Sequence, residues 1–242
     1  MTPLLQIRDL HKSYREAGRE HTILRGARGE IDTGEFVALL GPSGSGKSTL
    51  LNLVSGIDAP DAGEILIGGR SLTAMSERER TLFRRRHIGF VFQFFNLLPT
   101  LTVEENLLLP MELKGTIEEE ERARARGLLA DVGLEGREDS FPDRLSGGEQ
   151  QRVAVARALV HGPMIILADE PTGNLDAETG DRILTLLERL ADSANTTLLV
   201  VTHSQDIARR AHRILRIRDG GLVTDPPGSP VGGPSAPPRV SS

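Results

Sequence analysis

The chain contains no cysteine, no tryptophan, a single tyrosine and no long apolar run. The absence of cysteine excludes disulfide bonds, thiolate zinc sites and cysteine nucleophiles, and it is compatible with a reducing compartment. No apolar stretch approaches the roughly 20 residues needed to span a bilayer, and residues 1–12 lack the pattern of a signal peptide. We therefore expect that the chain does not cross a membrane by itself.

An excess of positive charge is also missing. The sequence has 29 basic and 34 acidic side chains, which gives a formal net charge of -5 at pH 7. Nucleic acids and anionic membrane surfaces attract basic proteins, so this balance predicts no nucleic acid partner. The 242 residues, of which 38% are hydrophobic, suffice for one large domain or two small ones with a substantial core.

Predicted helices alternate with short apolar strands along most of the chain. The strand candidates are residues 4–10, 36–40, 64–67, 88–92, 164–168 and 197–202. The helix candidates are residues 47–55, 118–132, 149–159 and 180–191. This alternation indicates an α/β fold with a mostly parallel sheet and flanking helices. The segment 225–242 is dominated by proline, glycine and serine and is predicted to be a disordered tail.

A glycine-rich run, GPSGSGKST, lies between the predicted strand 36–40 and the predicted helix 47–55. It matches the phosphate-binding P-loop, and this strand–loop–helix order is the context that the motif requires. Lys47 would neutralise the β- and γ-phosphates of ATP, and the Ser48 hydroxyl would ligate Mg²⁺. An ordinary serine-glycine turn is the weaker alternative. The predicted ATP-binding residues of this loop are Gly41, Pro42, Ser43, Gly44, Ser45, Gly46, Lys47, Ser48 and Thr49.

A second candidate lies where the apolar strand 164–168 ends at Asp169 and Glu170. The carboxyl ends of parallel strands form the ligand-binding edge of an α/β sheet. Asp169 is predicted to hold Mg²⁺ through water, and Glu170 to polarise the attacking water, because ATP hydrolysis depends on positioning and charge stabilisation. A simple acidic turn is the alternative, and the upstream P-loop makes it the poorer interpretation.

The sequence LSGGEQ at residues 145–150, before an apolar helix, resembles the signature motif of ABC ATPases. In isolation it is a loop before a helix, whose glycines and helix N-terminus suit an anion. Its place between the P-loop and the Asp-Glu strand favours the family, and the resemblance covers nearly the whole chain. It implies a nucleotide-binding domain over residues 1–224, with an N-terminal antiparallel β subdomain and a helical subdomain at about 93–150.

The resemblance also implies roles for residues outside the P-loop. Gln93 would contact Mg²⁺ and the attacking water, His203 would contact the γ-phosphate, and Asp176 would touch a second subunit. Tyr14 would stack on adenine, and Ser146, Gly147, Gly148 and Glu149 would cover the ATP of a second copy. The alternatives are a surface glutamine, a structural histidine, a helix cap by Asp176 and core packing by Tyr14.

Two segments, IGFVFQFFNLLPTLTVEENLLLP at 88–110 and LADEPTGNLD at 167–176, resemble the lipoprotein-release and macrolide-export branch of the family, called LolD/MacB-like. This branch implies an ATP-hydrolysing homodimer docked on two membrane permeases at the cytoplasmic face of the inner membrane. The resemblance also implies that the ATPase does not itself recognise the transported substrate. A non-transporting complex that regulates cell-wall or division processes stays open. A soluble ABC-fold ATPase acting on a macromolecule is disfavoured by the single cassette and the acidic balance.

Two positions depart from the family pattern. The sequence Ala-Arg-Gly at 27–29 stands where relatives carry a more apolar strand, so the edge near Ile31 is expected to be irregular. Ser204 replaces the aspartate that commonly follows the switch histidine, and we expect it to alter slightly how His203 is held. The basic run at 84–86 is interpreted as a solvated face.

Overall fold

The computed structural model describes residues 3–16, 19–113, 115 and 117–225. The strands, in chain order, are β1 (Leu5–Glu16), β2 (Arg19–Ile31), β3 (Phe36–Leu40), β4 (Ala62–Ile67), β5 (Arg70–Ser71), β6 (Ile88–Phe92), β7 (Ile165–Asp169), β8 (Thr197–Thr202), β9 (Arg213–Arg218) and β10 (Gly221–Thr224). The helices are α1 (Lys47–Val54), α2 (Glu77–His87), α3 (Val103–Glu112), α4 (Glu119–Asp131), α5 (Gly147–Leu159), α6 (Ala177–Ser193) and α7 (Gln205–Arg210), with a 3-10 turn at Pro142–Arg144. The predicted α/β fold is confirmed.

The strands form two sheets. A six-stranded sheet has the order β10-β9-β3-β8-β7-β6, in which only β10 pairs antiparallel. A four-stranded antiparallel sheet has the order β2-β1-β4-β5. Strands β3 and β8 are buried along their whole length, as expected for parallel strands covered on both faces. The predicted parallel core and N-terminal antiparallel subdomain are therefore confirmed.

Successive residues of the parallel strands point into two different cores. Leu39 and Leu167 pack with α1 and with the antiparallel sheet, whereas Ile166 and Val200 pack under helices α3 to α6. This alternation follows from the period of two along a strand. The six-stranded sheet is thus a central layer, and its carboxyl edge is held between two packed layers.

The irregularity expected near Ile31 is found in the pairing of β1 with β2, at residues 27–29 and again beside Gly26 of β2, which has a φ of 64°. Strand β2 runs through residues 27–29 without a break. Its register with β1 shifts between Ile7 and Leu10, and Asp9 there has a φ of 50°. A non-glycine residue with positive φ beside a register shift is typical of a β-bulge.

The basic run at 84–86 ends helix α2, which begins with a capping box between Ser76 and Glu79. Cations in a last turn complement the helix dipole. Arg85 and Arg86 are exposed, but Arg84 is partly buried and donates to the carbonyl of Gly56 at 2.5 Å. The interpretation as a solvated face therefore fails for Arg84.

The predicted disordered tail, 225–242, lies outside the described residues except for Asp225. The Asp225 carboxylate accepts a hydrogen bond from Nε of Arg216 at 2.5 Å, and its backbone N–H donates to Ile214 at 3.0 Å. Among the residues that the structure describes, no helix is long and apolar enough to cross a membrane.

Candidate functional site

The glycine-rich loop joins β3 to the N-terminus of α1. Gly46 is the N-cap residue with a φ of 96°, and a Cβ at this position would lie 2.6 Å from Cγ2 of Ile23. Within the described residues no side chain caps α1, and its first turn carries no acidic residue. The first N–H groups of the helix are therefore available to an anion, which the helix dipole also favours.

Two polar groups in this loop fit a phosphate. The Lys47 ammonium is buried and donates to the carbonyls of Gly41 and Pro42 at 2.7 and 2.8 Å. The Ser45 hydroxyl oxygen is buried and has no hydrogen-bond partner among the described residues. Buried polar groups are normally paired, so the Ser45 hydroxyl suits a ligand, and the Lys47 ammonium has a third N–H donor that can contact an anionic oxygen. The rim of the loop is formed by the exposed residues Pro42, Ser43 and Gly44.

Asp169 reaches the loop from the end of β7. The Ser48 hydroxyl donates to Oδ2 of Asp169 at 3.5 Å. Burial raises the pKa of Asp169, the neighbouring Glu170 charge raises it further, and Ser48 and Lys47 oppose this shift. A bound cation would favour the charged carboxylate. A hydroxyl and a carboxylate are oxygen ligands of the kind that Mg²⁺ takes beside substrate phosphates, so this pair fits Mg²⁺.

The structure brings Glu170 and His203 together across the neighbouring strands β7 and β8. Oε1 of Glu170 lies 2.7 Å from Nδ1 of His203, and Oε2 accepts from the Thr202 hydroxyl at 3.0 Å. The Glu170 side chain is 18% exposed and that of His203 is 72% exposed. Glu170 also has a φ of 44°, a strained backbone of the kind found at functional sites. The carboxylate is therefore held in one position.

Ser204 acts through the cap of α7. Its hydroxyl accepts from the N–H of Ile207 at 3.5 Å, and its own N–H donates to the Thr202 hydroxyl at 3.0 Å. Thr202 in turn donates to Glu170, which contacts His203. The effect expected from Ser204 on His203 thus has a path through Thr202 and Glu170.

Gln93 follows β6, whose last residue, Phe92, pairs in register with Asp169. Its Nε2 donates to Oδ1 of Asn174 at 3.4 Å, and Nδ2 of Asn174 donates to the Gln93 carbonyl at 2.9 Å. Gln93 is therefore tied to the segment 173–176 that precedes α6. Its predicted contact with Mg²⁺ stays a prediction.

The signature loop begins α5 at Gly147, two residues before the predicted start. The Ser146 hydroxyl accepts from the N–H of Glu149 at 3.3 Å and donates to its carboxylate at 2.7 Å. Arg137 donates to the same carboxylate at 3.1 Å. Hydrogen bonds from the backbone and hydroxyl of Ser146, then from Arg137, lower the pKa of Glu149 from 4.5 to about 2. The side chains of Ser146 and Glu149 are thus already paired within the chain.

A cleft of about 410 Å³ lies between the signature loop and the start of α6. Asp176 caps α6 by accepting from the N–H of Thr179 at 2.9 Å, so the capping alternative is observed for this residue. A Cβ on Gly148 would lie 2.8 Å from Cγ2 of Thr179, which explains the glycine. Nε of Arg152 is buried and unpaired among the described residues. The cleft is lined by Ser146, Gly147, Gly148, Arg152, Asn174, Leu175, Asp176, Thr179, Arg182 and Ile183.

Tyr14 lies beside the end of the phosphate loop. Its hydroxyl donates to Oδ2 of Asp58 at 2.7 Å and is within hydrogen-bonding reach of Thr49. The Lys12 ammonium lies 4.9 Å from the ring centroid. Burial, then Asp58, raises the pKa of Tyr14. The ring is 39% exposed, so it is accessible for stacking.

Several partners of these residues were missed by the sequence prediction. Asp58, Arg137 and Thr202 lie in loops or at strand ends, and no local pattern marks their contacts. Gln151 does carry a signal, because it is a polar residue in a helix that is otherwise apolar on that face. It is fully buried and donates to the carbonyls of Phe92, at 3.3 Å, and Pro171.

Comparison with known proteins agrees with this geometry. The chain matches the ABC transporter family over residues 24–173. The lipoprotein-releasing system ATP-binding protein LolD of Chromohalobacter salexigens is 46% identical over 222 residues, covering 92% of this chain and 94% of LolD. The macrolide export ATP-binding/permease protein MacB of Shigella flexneri is 42% identical over 227 residues, covering 94% of this chain and 35% of MacB.

A solved structure is similar as well. It is the dimeric post-hydrolysis state of an ATP-binding cassette bound to ADP and Pi, with a TM-score of 0.81 and 43% identity, covering 90% of this chain and 96% of that chain. The predicted resemblance is thereby confirmed. The chain belongs to the ABC transporter family, as an ATP-binding and ATP-hydrolysing cassette of the LolD and MacB type.

Proposed function

We propose that two copies of this chain close around MgATP and drive a pair of membrane permeases. The observation that carries this proposal is the contact between Glu170 and His203 beside the Ser48–Asp169 pair. It supplies a base and a phosphate ligand next to a phosphate loop. The dimeric state of the similar cassette bound to ADP and Pi supports closure of two copies.

The phosphate-loop half of the site binds and orients ATP. The N–H groups of α1 and the Lys47 ammonium hold the phosphates, and Tyr14 stacks on the adenine. Ser48 and Asp169 would hold Mg²⁺, with Gln93 nearby. The ion would supply positive charge beside the β- and γ-phosphates.

Hydrolysis then depends on a fixed base. The carboxylate of Glu170 accepts a hydrogen bond from the attacking water and orients it toward the γ-phosphate. His203, held by Glu170 through Nδ1, contacts the γ-phosphate with its other ring nitrogen. The two side chains therefore act as a unit, and the Thr202 hydroxyl, which donates to Oε2 of Glu170, holds them in place.

The signature half of the site acts on the other copy. Ser146, Gly147 and Gly148, with the backbone of Glu149, cover the ATP held by the partner's phosphate loop. Asp176 lies in the same cleft and touches the partner. The cleft also contains Arg152 and Arg182, whose charges favour an anionic ligand.

An apolar groove of about 440 Å³ supports the permease partner. Arg84, Arg85 and Arg157 lie in its lining, which contains no aspartate or glutamate among the described residues. We assign it to an apolar permease segment that carries a carboxylate. The chain would then act peripherally at the cytoplasmic face of the inner membrane, in lipoprotein release or in macrolide- or peptide-type export. The groove's apolar lining includes Ile57, Phe90, Phe92, Leu109 and Leu113.

The direct test is Glu170→Gln. The change keeps the size of the side chain but removes the base, so we expect ATP binding to persist, turnover to fall by about 100-fold or more, and an ATP-bound dimer to accumulate. Phosphate release and light scattering with MgATP measure these effects. Glu120→Gln, at an exposed position of α4, is the control. Hydrolysis at the wild-type rate by Glu170→Gln would exclude the role of this residue.

A further inference from the structure

The segment 92–96 begins at the last residue of β6 and continues as irregular backbone, whose carbonyls must find donors elsewhere. Two of them are taken by a single side chain of α5. Nη2 of Arg157 donates to the Phe95 carbonyl at 2.8 Å, and Nη1 donates to the Asn96 carbonyl at 2.6 Å. Asn96 has a φ of 51°, in the left-handed region that asparagine adopts more readily than most residues. Arg157 therefore binds a turn that lies outside the regular sheet and helix hydrogen bonds.

The charge of Arg157 is costly at this position. Its side chain is half-buried, and none of the ion pairs found among the described residues involves it. Burial lowers the pKa of Arg157 to about 10. A charge in such surroundings costs free energy unless it is well hydrogen-bonded, and an apolar residue would serve packing alone. The two carbonyls of segment 92–96 are what this guanidinium binds.

The same segment also contacts the beginning of α5. A Cβ on Gly147 would lie 3.6 Å from Cζ of Phe95, so the Phe95 ring packs against the signature loop. Between these two points, Nε2 of Gln151 donates to the Phe92 carbonyl at 3.3 Å. Segment 92–96 is therefore joined to α5 at its first turn, its middle and its last turn.

We propose that Arg157 is a positioning residue that fastens segment 92–96 to α5, so that Gln93 and the signature loop move as one body. The inference rests on the proposed roles of Gln93 and Ser146 in hydrolysis. Arg157 and Asn96 also line the apolar groove, so a partner bound there contacts the same connection. Displacing these carbonyls would then alter Gln93 and the signature loop together.

The test uses Arg157→Met and Arg157→Lys, with Arg86→Met as the control at an exposed position of α2. Methionine fills the space without donors, and lysine reaches one carbonyl but lacks the planar fork. For Arg157→Met we expect KM and equilibrium ATP affinity within about twofold of wild type, and kcat lower by about tenfold or more, as for loss of a charge-assisted hydrogen bond. Arg157→Lys should fall in between.

A local reporter separates positioning from general destabilisation. The chain has no tryptophan, and Phe94 is 70% exposed, so Phe94→Trp places a single indole in the segment. We expect Arg157→Met to increase acrylamide quenching of this indole, with the folded fraction measured in the same samples. Arg86→Met should change neither quenching nor kcat.

These measurements decide the proposal. Unchanged kcat and quenching in Arg157→Met, or a kcat loss that follows only a smaller folded fraction, would overturn it. If Arg157→Met does not fold, Arg157→Lys must show the intermediate loss and raised quenching for the proposal to stand. A wild-type chain without ATPase activity would contradict the proposed function instead, and the indole reporter would still test the contact made by Arg157.

Discussion

The N-termini of α1 and α5 differ in whether side chains of the same chain cap the helix. Each helix begins at a glycine-rich loop and leaves its first N–H groups without helical partners. At α1 the N-cap is Gly46 in the left-handed region, with no side-chain cap and no acidic residue in the first turn. At α5 the N-cap is Ser146, and a capping box with Glu149 closes the end.

This difference predicts different roles for the two helix N-termini in the site. We propose that the open end of α1, with the Lys47 ammonium beside it, binds phosphate within one copy. At the closed end of α5, the Ser146 hydroxyl and the N–H groups of Ser146 and Glu149 already have partners. The charged residue of its first turn, Glu149, is paired with Arg137, so the loop offers a preformed surface. We therefore assign ATP binding to the N-terminus of α1. We assign contact with the ATP that the other copy already holds to the N-terminus of α5.

The largest effect should come from removing charge at the open end. Lys47→Ala should weaken ATP binding by about 100-fold, because a charge-assisted contact to two phosphates is lost. Equilibrium titration of the dilute chain, where dimers do not form, measures this directly. Unchanged affinity would show that the loop N–H groups suffice and that the contrast between the two helix ends is misplaced.

A smaller effect is expected at the closed end. Ser146→Ala removes the cap of α5 and should lower the free energy of unfolding by about 1 kcal/mol. ATP affinity of the dilute chain should stay at the wild-type value, whereas steady-state hydrolysis, which needs closure, should fall. Urea unfolding and the same titration measure the two quantities. A loss of ATP affinity as large as that of Lys47→Ala would contradict the different roles assigned to the two helix ends.

Much of the parallel core was predictable because of how it is buried. Strands β3, β7 and β8 are covered on both faces, so they are continuous apolar runs that sequence alone reveals. Strand β2 was not predicted, since only Leu24, Ala27 and Ile31 are buried along it and their spacing has no period of two. Helix α2 was missed because Phe83 is its only buried residue.

The contacts of the candidate site also differ in how far the sequence predicts them. The phosphate loop is a local motif, and the meeting of Glu170 with His203 follows from the rule that parallel strands end at one edge. The contact between Arg157 and Asn96 joins residues 61 positions apart through a helix and a loop. No periodicity encodes such a contact, so only the folded chain shows it.

The smallest effect concerns the acid that closes α5. Because folding lowers the pKa of Glu149 to about 2, its contribution to stability is complete above about 4.5 and is lost as the pH falls toward 2. Glu149→Gln keeps the capping pattern but cannot titrate, so its free energy of unfolding should fall less steeply below about pH 5. Urea unfolding across this range measures the slope.

Glu120→Gln, at an exposed position of α4, should leave that slope unchanged. The first turn of α1 contains no carboxylate, so the open helix end cannot produce a pH dependence of this kind. A slope in Glu149→Gln equal to that of the wild type would mean that Glu149 is not the group that closes α5 and that Ser146 caps the helix alone. The difference between the two helix ends would then depend on the Ser146 hydroxyl alone. The loss of unfolding free energy in Ser146→Ala would have to account for the whole stabilising effect of the cap.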